Sequence, residues 1–175
     1  MKKILAFGAS TSSTSINRRF ANFAAKQIPE ADVTDLDLRG IHVPMYSSDE
    51  EQANGIPVDI YRFLYLIQSH DAVVISLAEH NGSYSAAFKN IYDWASRVEK
   101  RVWSGKPMLL LSTAPGPRGG ATVIEAAKTT FPRMGAHIKA SFSLPNFYET
   151  FSDSEGILEP SLKAEFESAL AAFIA

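Results

Sequence analysis

At 175 residues, 46% hydrophobic and 21% charged, with a formal charge of −2, the chain has the composition of an ordinary globular protein. That charge gives no electrostatic argument for nucleic acid or an anionic membrane, and the lack of cysteine excludes disulfides, thiolate nucleophiles and cysteine-ligated metals. Lys2 and Lys3 precede too short an apolar stretch for a signal peptide, and no segment approaches the roughly 18 apolar residues of a membrane helix, so a single cytoplasmic domain over 1–175 is expected.

The first strand is predicted at Lys3–Phe7. It runs directly into Gly8-Ala9-Ser10-Thr11-Ser12-Ser13-Thr14-Ser15-Ile16-Asn17, where a helical pattern of Ile16, Phe20, Phe23, Ala24 and Gln27 begins. A hydroxyl-dense loop between a strand and a helix suits a phosphate dianion, because Ser and Thr donate O–H bonds while backbone N–H groups and the positive helix end face the same point. Ser10, Ser12, Ser15, Ile16 and Asn17 are the candidate phosphate-binding residues. The Gly-Lys-Ser/Thr ending of a Walker loop is missing, and Gly8 lacks the partners of a dinucleotide fingerprint. A mononucleotide phosphate is the remaining functional reading, against a plain Ser/Thr turn in which Ser13 or Ser15 caps the helix.

Further strands are expected at Asp32–Leu38, Ala72–Leu77, Pro107–Ser112 and Ala136–Ser141. Helical stripes lie between and after them: Ile60, Phe63, Leu64 and Ile67; Phe88, Ile91, Tyr92 and Ala95; Val123, Ala126, Ala127 and Thr130; and Leu162, Phe166, Leu170, Phe173 and Ile174. Val73–Ile75 and Met108–Leu111 are apolar without alternation, as strands buried on both faces should be. Alternating strands and helices imply an α/β chain, a five-stranded parallel sheet with helices on both faces. Ligands of such sheets sit beyond the carboxyl ends of the strands, which gathers the loops after Phe7, Leu77 and Ser112. Two stretches read as irregular: Arg39 to Gly55, either a rim or lid or a solvated excursion, and Leu144 to Glu159, a candidate oligomer contact.

The second loop is Ala78-Glu79-His80-Asn81-Gly82-Ser83, in which Asn81-Gly82 permits left-handed backbone and Ser83 is placed to cap the next helix. In the third, Ser112-Thr113-Ala114-Pro115-Gly116-Pro117-Arg118-Gly119-Gly120, prolines fix the shape and glycines allow close approach of a ring. Glu79, His80, Asn81, Gly82, Ser83, Ser112, Pro115, Gly116, Arg118, Gly119 and Gly120 are therefore candidates for binding a planar heterocycle that carries a phosphate at its other end. Flavin mononucleotide (FMN) meets that description.

The run Glu79-His80-Asn81-Gly82-Ser83, then Phe88-Lys89-Asn90-Ile91-Tyr92-Asp93-Trp94 and Ser96-Arg97, resembles the NADPH-dependent FMN reductase family, as do Pro44-Met45-Tyr46 and the Ser112 to Gly120 loop. The resemblance extends to about Gly135. It implies a flavodoxin-like three-layer sandwich of strand order 2-1-3-4-5, bound FMN, and oxidation of NADPH or NADH. Electrons would pass to a quinone, azo dye, metal oxyanion or free flavin. It also implies a homodimer or homotetramer. The family commonly carries an arginine where Ser12 stands, and a Pro and a Tyr where Ala78 and His80 stand. Arg18 or Arg118 would then supply the missing cation. A flavodoxin-like electron carrier is the competing reading, with a charge of −2 too small for the acidic docking face such carriers bear.

Lys89 and Asp93 are spaced for a helix-surface ion pair, and Trp94 and Trp103 read as core or interface aromatics. Tyr84, Phe88, Tyr92 and Trp94 spread around one predicted helix, Ser83 to Glu99, which suggests that a second subunit covers part of it. His42, His70 and His137 have no metal-site spacing, Asp49, Glu50 and Glu51 read as a solvated helix start ahead of a divalent-ion site, and Gly-x-Ser-x-Gly is absent.

Overall fold

The computed structural model describes all 175 residues. Five parallel strands form the main sheet: β1 (Lys2–Gly8), β2 (Ala31–Asp35), β3 (Ala72–Leu77), β4 (Pro107–Thr113) and β5 (His137–Leu144), in the order β2-β1-β3-β4-β5. This is the predicted order. Alternation along the central strands sends side chains to opposite faces. Leu5, Phe7, Val73, Ile75, Met108 and Leu110 join one apolar cluster, while Ile4, Ala6, Val74, Leu109 and Leu111 join the other.

Helices α1 (Ile16–Lys26) and α7 (Pro160–Ile174) cover the second face through Phe20, Ala24, Phe166, Leu170 and Phe173. Helices α3 (Val58–Ser69), α4 (Ala86–Val98) and α5 (Ala121–Thr130) cover the first, bringing Ile60, Phe63, Phe88, Trp94 and Val123. Two short helices, α2 (Ser48–Asn54) and α6 (Phe147–Thr150), lie within the stretches read as irregular.

Several boundaries differ from expectation. β2 ends at Asp35 rather than Leu38, because the Asp37 carboxylate accepts Arg39 N–H and starts a 3₁₀ turn at Leu38–Gly40. β5 runs on to Leu144, beyond the expected Ser141. The helix expected from Ser83 starts at Ala86, and its cap is Ser85, whose Oγ accepts Phe88 N–H at 3.2 Å. Ser83 instead pairs with His80 in a two-residue antiparallel ribbon.

The segment between the 3₁₀ turn and α2 is a strap fixed to α4. Tyr46 N–H donates to Asn90 Oδ1 at 2.8 Å, and the Pro44 carbonyl accepts from Asn90 Nδ2 and Trp94 Nε1. Tyr46 stands edge-on to Trp94 at 4.9 Å and donates its hydroxyl to Glu51, which Arg97 also engages. The Arg97 guanidinium holds the Glu51 carboxyl below its ordinary range. Asp49, Glu50 and Glu51 form the first turn of α2, capped by Ser47.

The aromatics of α4 are satisfied within one chain. Phe88, Tyr92 and Trp94 are buried, and Trp103 and Phe131 complete their cluster. Tyr84 is half-buried and stacks on Phe131 at 5.8 Å, so these side chains give no argument for a covering subunit. Trp94 and Trp103 are core, and the Lys89–Asp93 pair forms at 2.7 Å.

Candidate cofactor site

Beyond the carboxyl ends of β1, β3 and β4 lies a cleft of about 290 Å³. The loop after β1 supplies Ser10, Ser12, Thr14, Ser15, Ile16 and Asn17, the second loop Ala78, Glu79 and His80, and the third loop Thr113, Ala114 and Pro115. Tyr148 of α6 completes the wall.

The first loop is built for hydroxyl donation. Ser12 N–H donates to Ser10 Oγ at 3.1 Å, and Arg18 N–H donates to Ser15 Oγ at 3.1 Å. Each hydroxyl is thereby oriented through a lone pair while its own hydrogen stays free for a ligand. Ser15 is the α1 cap, and the N–H groups of Ile16 and Asn17 in the first turn have no acceptor within the chain. Gly8 allows this approach of loop and helix: a Cβ there would lie 2.2 Å from Arg18 N and 2.7 Å from the Asn17 carbonyl carbon.

Asn17 is 3% exposed and ties three segments together. Its Oδ1 accepts from Ser76 Oγ at 2.7 Å and from Thr113 N–H at 3.0 Å, and its Nδ2 donates to Thr113 O at 3.1 Å. Ser85 Oγ adds a bond to Ala9 O at 2.7 Å, joining the first loop to the start of α4.

Arg18 does not face the cleft as a phosphate partner. Its guanidinium grips Asp35 with two bonds, at 3.0 and 2.8 Å, and reaches Asp37 at 2.8 Å. The hydrogen bond to Asp35 raises its pKa further. Arg118 is exposed and pairs with the Thr122 hydroxyl. No cation lines the cleft. A bound dianion would therefore be countered by hydroxyls, amides and the α1 dipole.

In the second loop Asn81 (φ 54°) and Gly82 (φ 76°) form a left-handed two-residue turn, the geometry of a tight hairpin. The tip, Asn81, Gly82 and Ser83, is exposed and lies outside the cleft lining. Glu79 is occupied: its carboxylate accepts Val123 N–H at 2.8 Å and caps α5, whose Gly120 has no side chain to do so.

The third loop divides in the same way. Ser112 is fully buried and donates to Gly119 O at 2.6 Å. A Cβ on Gly119 would meet the Leu144 backbone at 2.9 Å, and one on Gly120 would meet Ser112 Cβ at 2.8 Å, so these glycines serve packing within the chain. A Cβ on Gly116 would meet nothing within 4 Å, and its N–H has no acceptor within the chain, while its carbonyl accepts Asn146 N–H. Of the sixteen candidates, Ser10, Ser12, Ser15, Ile16, Asn17, Glu79, His80 and Pro115 line the cleft; Asn81, Gly82, Ser83, Ser112, Gly116, Arg118, Gly119 and Gly120 do not. Thr14, Ala78, Thr113, Ala114 and Tyr148 also line it and were missed. Thr14 was visible within the hydroxyl run, whereas Tyr148 carried no local signal.

The residues present suit FMN in chemistry. One end holds four hydroxyls and two free amides for a phosphate; the other offers His80, Pro115 and the free Gly116 N–H to a flat ring.

The NADPH-dependent FMN reductase family matches residues 2–149. An NAD(P)H-dependent FMN reductase of Pseudomonas aeruginosa is 32% identical over 136 residues, covering 77% of this chain and 72% of that protein. A quinone reductase of Escherichia coli K12 is 29% identical over 106 residues, covering 58% of this chain and 56% of that protein. Among solved structures, the flavoenzyme NAD(P)H:(acceptor) oxidoreductase of Paracoccus denitrificans superposes with a TM-score of 0.78 at 23% identity, covering 99% of this chain and 96% of that one.

Proposed function

The chain belongs to the NADPH-dependent FMN reductase family, and we propose that residues 1–175 act as one FMN-binding domain that oxidises NADPH or NADH and delivers electrons to a small acceptor. When bound, FMN supplies the hydride acceptance and electron transfer that side chains cannot perform. The observation that carries the reading is the cleft itself, where a loop of free hydroxyls and helix amides meets His80 of the second loop and Pro115 of the third.

The chain's own work is binding and orientation. Ser10, Ser12, Ser15 and the amides of Ile16 and Asn17 hold the phosphate, and Asn17 sets the distance from that loop to Thr113. Glu79 fixes the second loop against α5, and so sets the spacing between the two ring-facing loops. The Gly116 N–H, which has no acceptor within the chain, would stabilise negative charge on the bound ring. No side chain is assigned as acid or base.

A quinone is the acceptor favoured first, on the name of the Escherichia coli relative; azo compounds, metal oxyanions and free flavin are tested beside it. A cytoplasmic location accords with a chain that lacks cysteine and has no helix long and apolar enough to cross a membrane. A homodimer or homotetramer remains part of the proposal, now resting on the exposed stripe Val58, Tyr61 and Tyr65 of α3. Light scattering at micromolar concentration reads this directly, and a monomer removes it.

The test is titration with FMN followed by steady-state turnover with NADPH and NADH across the acceptor panel. Saturable FMN binding and turnover with at least one acceptor are expected. A colourless protein that fails to bind added FMN overturns the reading.

A further inference from the structure

One wall of the cleft comes from outside the three loops. Tyr148 lines it while remaining 69% exposed, and its hydroxyl makes no hydrogen bond within the chain. An exposed aromatic on a four-residue helix would ordinarily move freely, yet the backbone carrying Tyr148 is pinned. Asn146 N–H donates to Gly116 O at 2.9 Å, Phe147 N–H donates to Ala114 O at 3.1 Å, and Thr150 Oγ1 donates to Pro145 O at 2.7 Å.

Two further features fix the segment. Asn146 adopts φ 48°, a left-handed conformation that non-glycine residues seldom take and that surrounding structure must impose. Phe147, only 1% exposed, stacks on Phe151 at 4.8 Å and lies under the Arg19 guanidinium at 5.0 Å. Tyr148 stands edge-on to Phe147, with ring centroids 5.6 Å apart. Its position is therefore locked to the third loop, with its hydroxyl unpaired and its ring, apart from the edge contact with Phe147, left exposed beside the cleft.

We propose that Tyr148 is a ligand-contacting residue that retains FMN, its ring closing the cleft against the bound flavin and its hydroxyl bonding to it. This rests on the FMN reading above. The cleft is open and its first loop carries no arginine at Ser12, so phosphate contacts hold one end of the ligand with no ionic clamp. A pinned aromatic at the mouth opposes escape of the rest at little entropic cost, because its backbone is already ordered. Tyr148 thereby decides whether FMN stays bound between turnovers or leaves as a product.

The experiment measures FMN dissociation rate and bound-flavin fluorescence for the wild type, Tyr148→Phe and Tyr148→Ala, with thermal unfolding of each apoprotein. Tyr148→Ala is expected to release FMN roughly tenfold faster, with Tyr148→Phe between the two. Bound-flavin emission should rise when the phenol is removed, since a phenol in contact quenches it. Apoprotein stability should hold, because the side chain is mostly exposed. Unchanged dissociation and emission in Tyr148→Ala, with FMN binding intact in the wild type, overturn the role of Tyr148 alone. A wild type that binds no FMN overturns the underlying reading instead.

Discussion

Asn17 and Thr113 are joined by a reciprocal pair of hydrogen bonds, Thr113 N–H to Asn17 Oδ1 at 3.0 Å and Asn17 Nδ2 to Thr113 O at 3.1 Å. One residue opens the first helix and the other ends the fourth strand, so this pair sets the spacing across the cleft. Asn17→Ala strands the Thr113 backbone and the Ser76 hydroxyl, both buried. Each unsatisfied group costs about 1–3 kcal/mol, so a loss of about 2–4 kcal/mol is expected in urea unfolding of the apoprotein. FMN affinity should fall with it. Unchanged stability would mean that the loops are positioned by other contacts.

Gly8 faces a similar constraint through space rather than hydrogen bonding. A methyl group there collides with the backbone of Asn17 and Arg18, which cannot rotate away. Gly8→Ala should displace the start of α1, cost about 1–3 kcal/mol and weaken FMN binding. Calorimetry of the apoprotein and fluorescence titration check the two effects separately.

Ser15 performs two tasks through different parts of one hydroxyl. Its oxygen accepts Arg18 N–H as the α1 cap, while its hydrogen remains free to donate into the cleft. Ser15→Ala should lower apoprotein stability by about 1 kcal/mol through the cap. Loss of a bond to a charged phosphate should weaken FMN roughly ten- to a hundredfold. A stability loss with FMN affinity unaltered would restrict Ser15 to capping.

The sequence carried the frame of this site further than its details. Apolar runs without alternation marked β3 and β4, and the hydroxyl-dense loop marked the start of α1, because local composition records those features. It did not show that Ser112, Gly119 and Gly120 serve the loop's own packing, since their partners Ser143 and Leu144 lie on another strand. Tyr148 was hidden for the same reason: only the bonds from Asn146 and Phe147 to the third loop bring it to the cleft. Glu79 was assigned to the ligand by motif, whereas its carboxylate caps a helix more than forty residues onward.

Tyr92 gives the fold a dependence on alkaline pH. Its hydroxyl accepts Trp103 Nε1–H at 2.9 Å within the core, and burial pushes its pKa well above the ordinary value of 10.0. The folded state therefore favours the neutral phenol. The associated stability is complete below pH 10 and is lost as pH rises above it, because the unfolded chain ionises first. Stability measured from pH 9 to 12 should fall less steeply in Tyr92→Phe than in the wild type. Parallel slopes would place the alkaline loss elsewhere.

Anaerobic rapid mixing of the FMN-loaded protein with NADPH tests the central claim most directly. Flavin absorbance should bleach within the enzyme's turnover time and return when a quinone is added, as expected of an enzyme that uses one cleft for both half-reactions. Flavin that binds but stays oxidised with both NADPH and NADH would contradict the account and leave an electron carrier in its place.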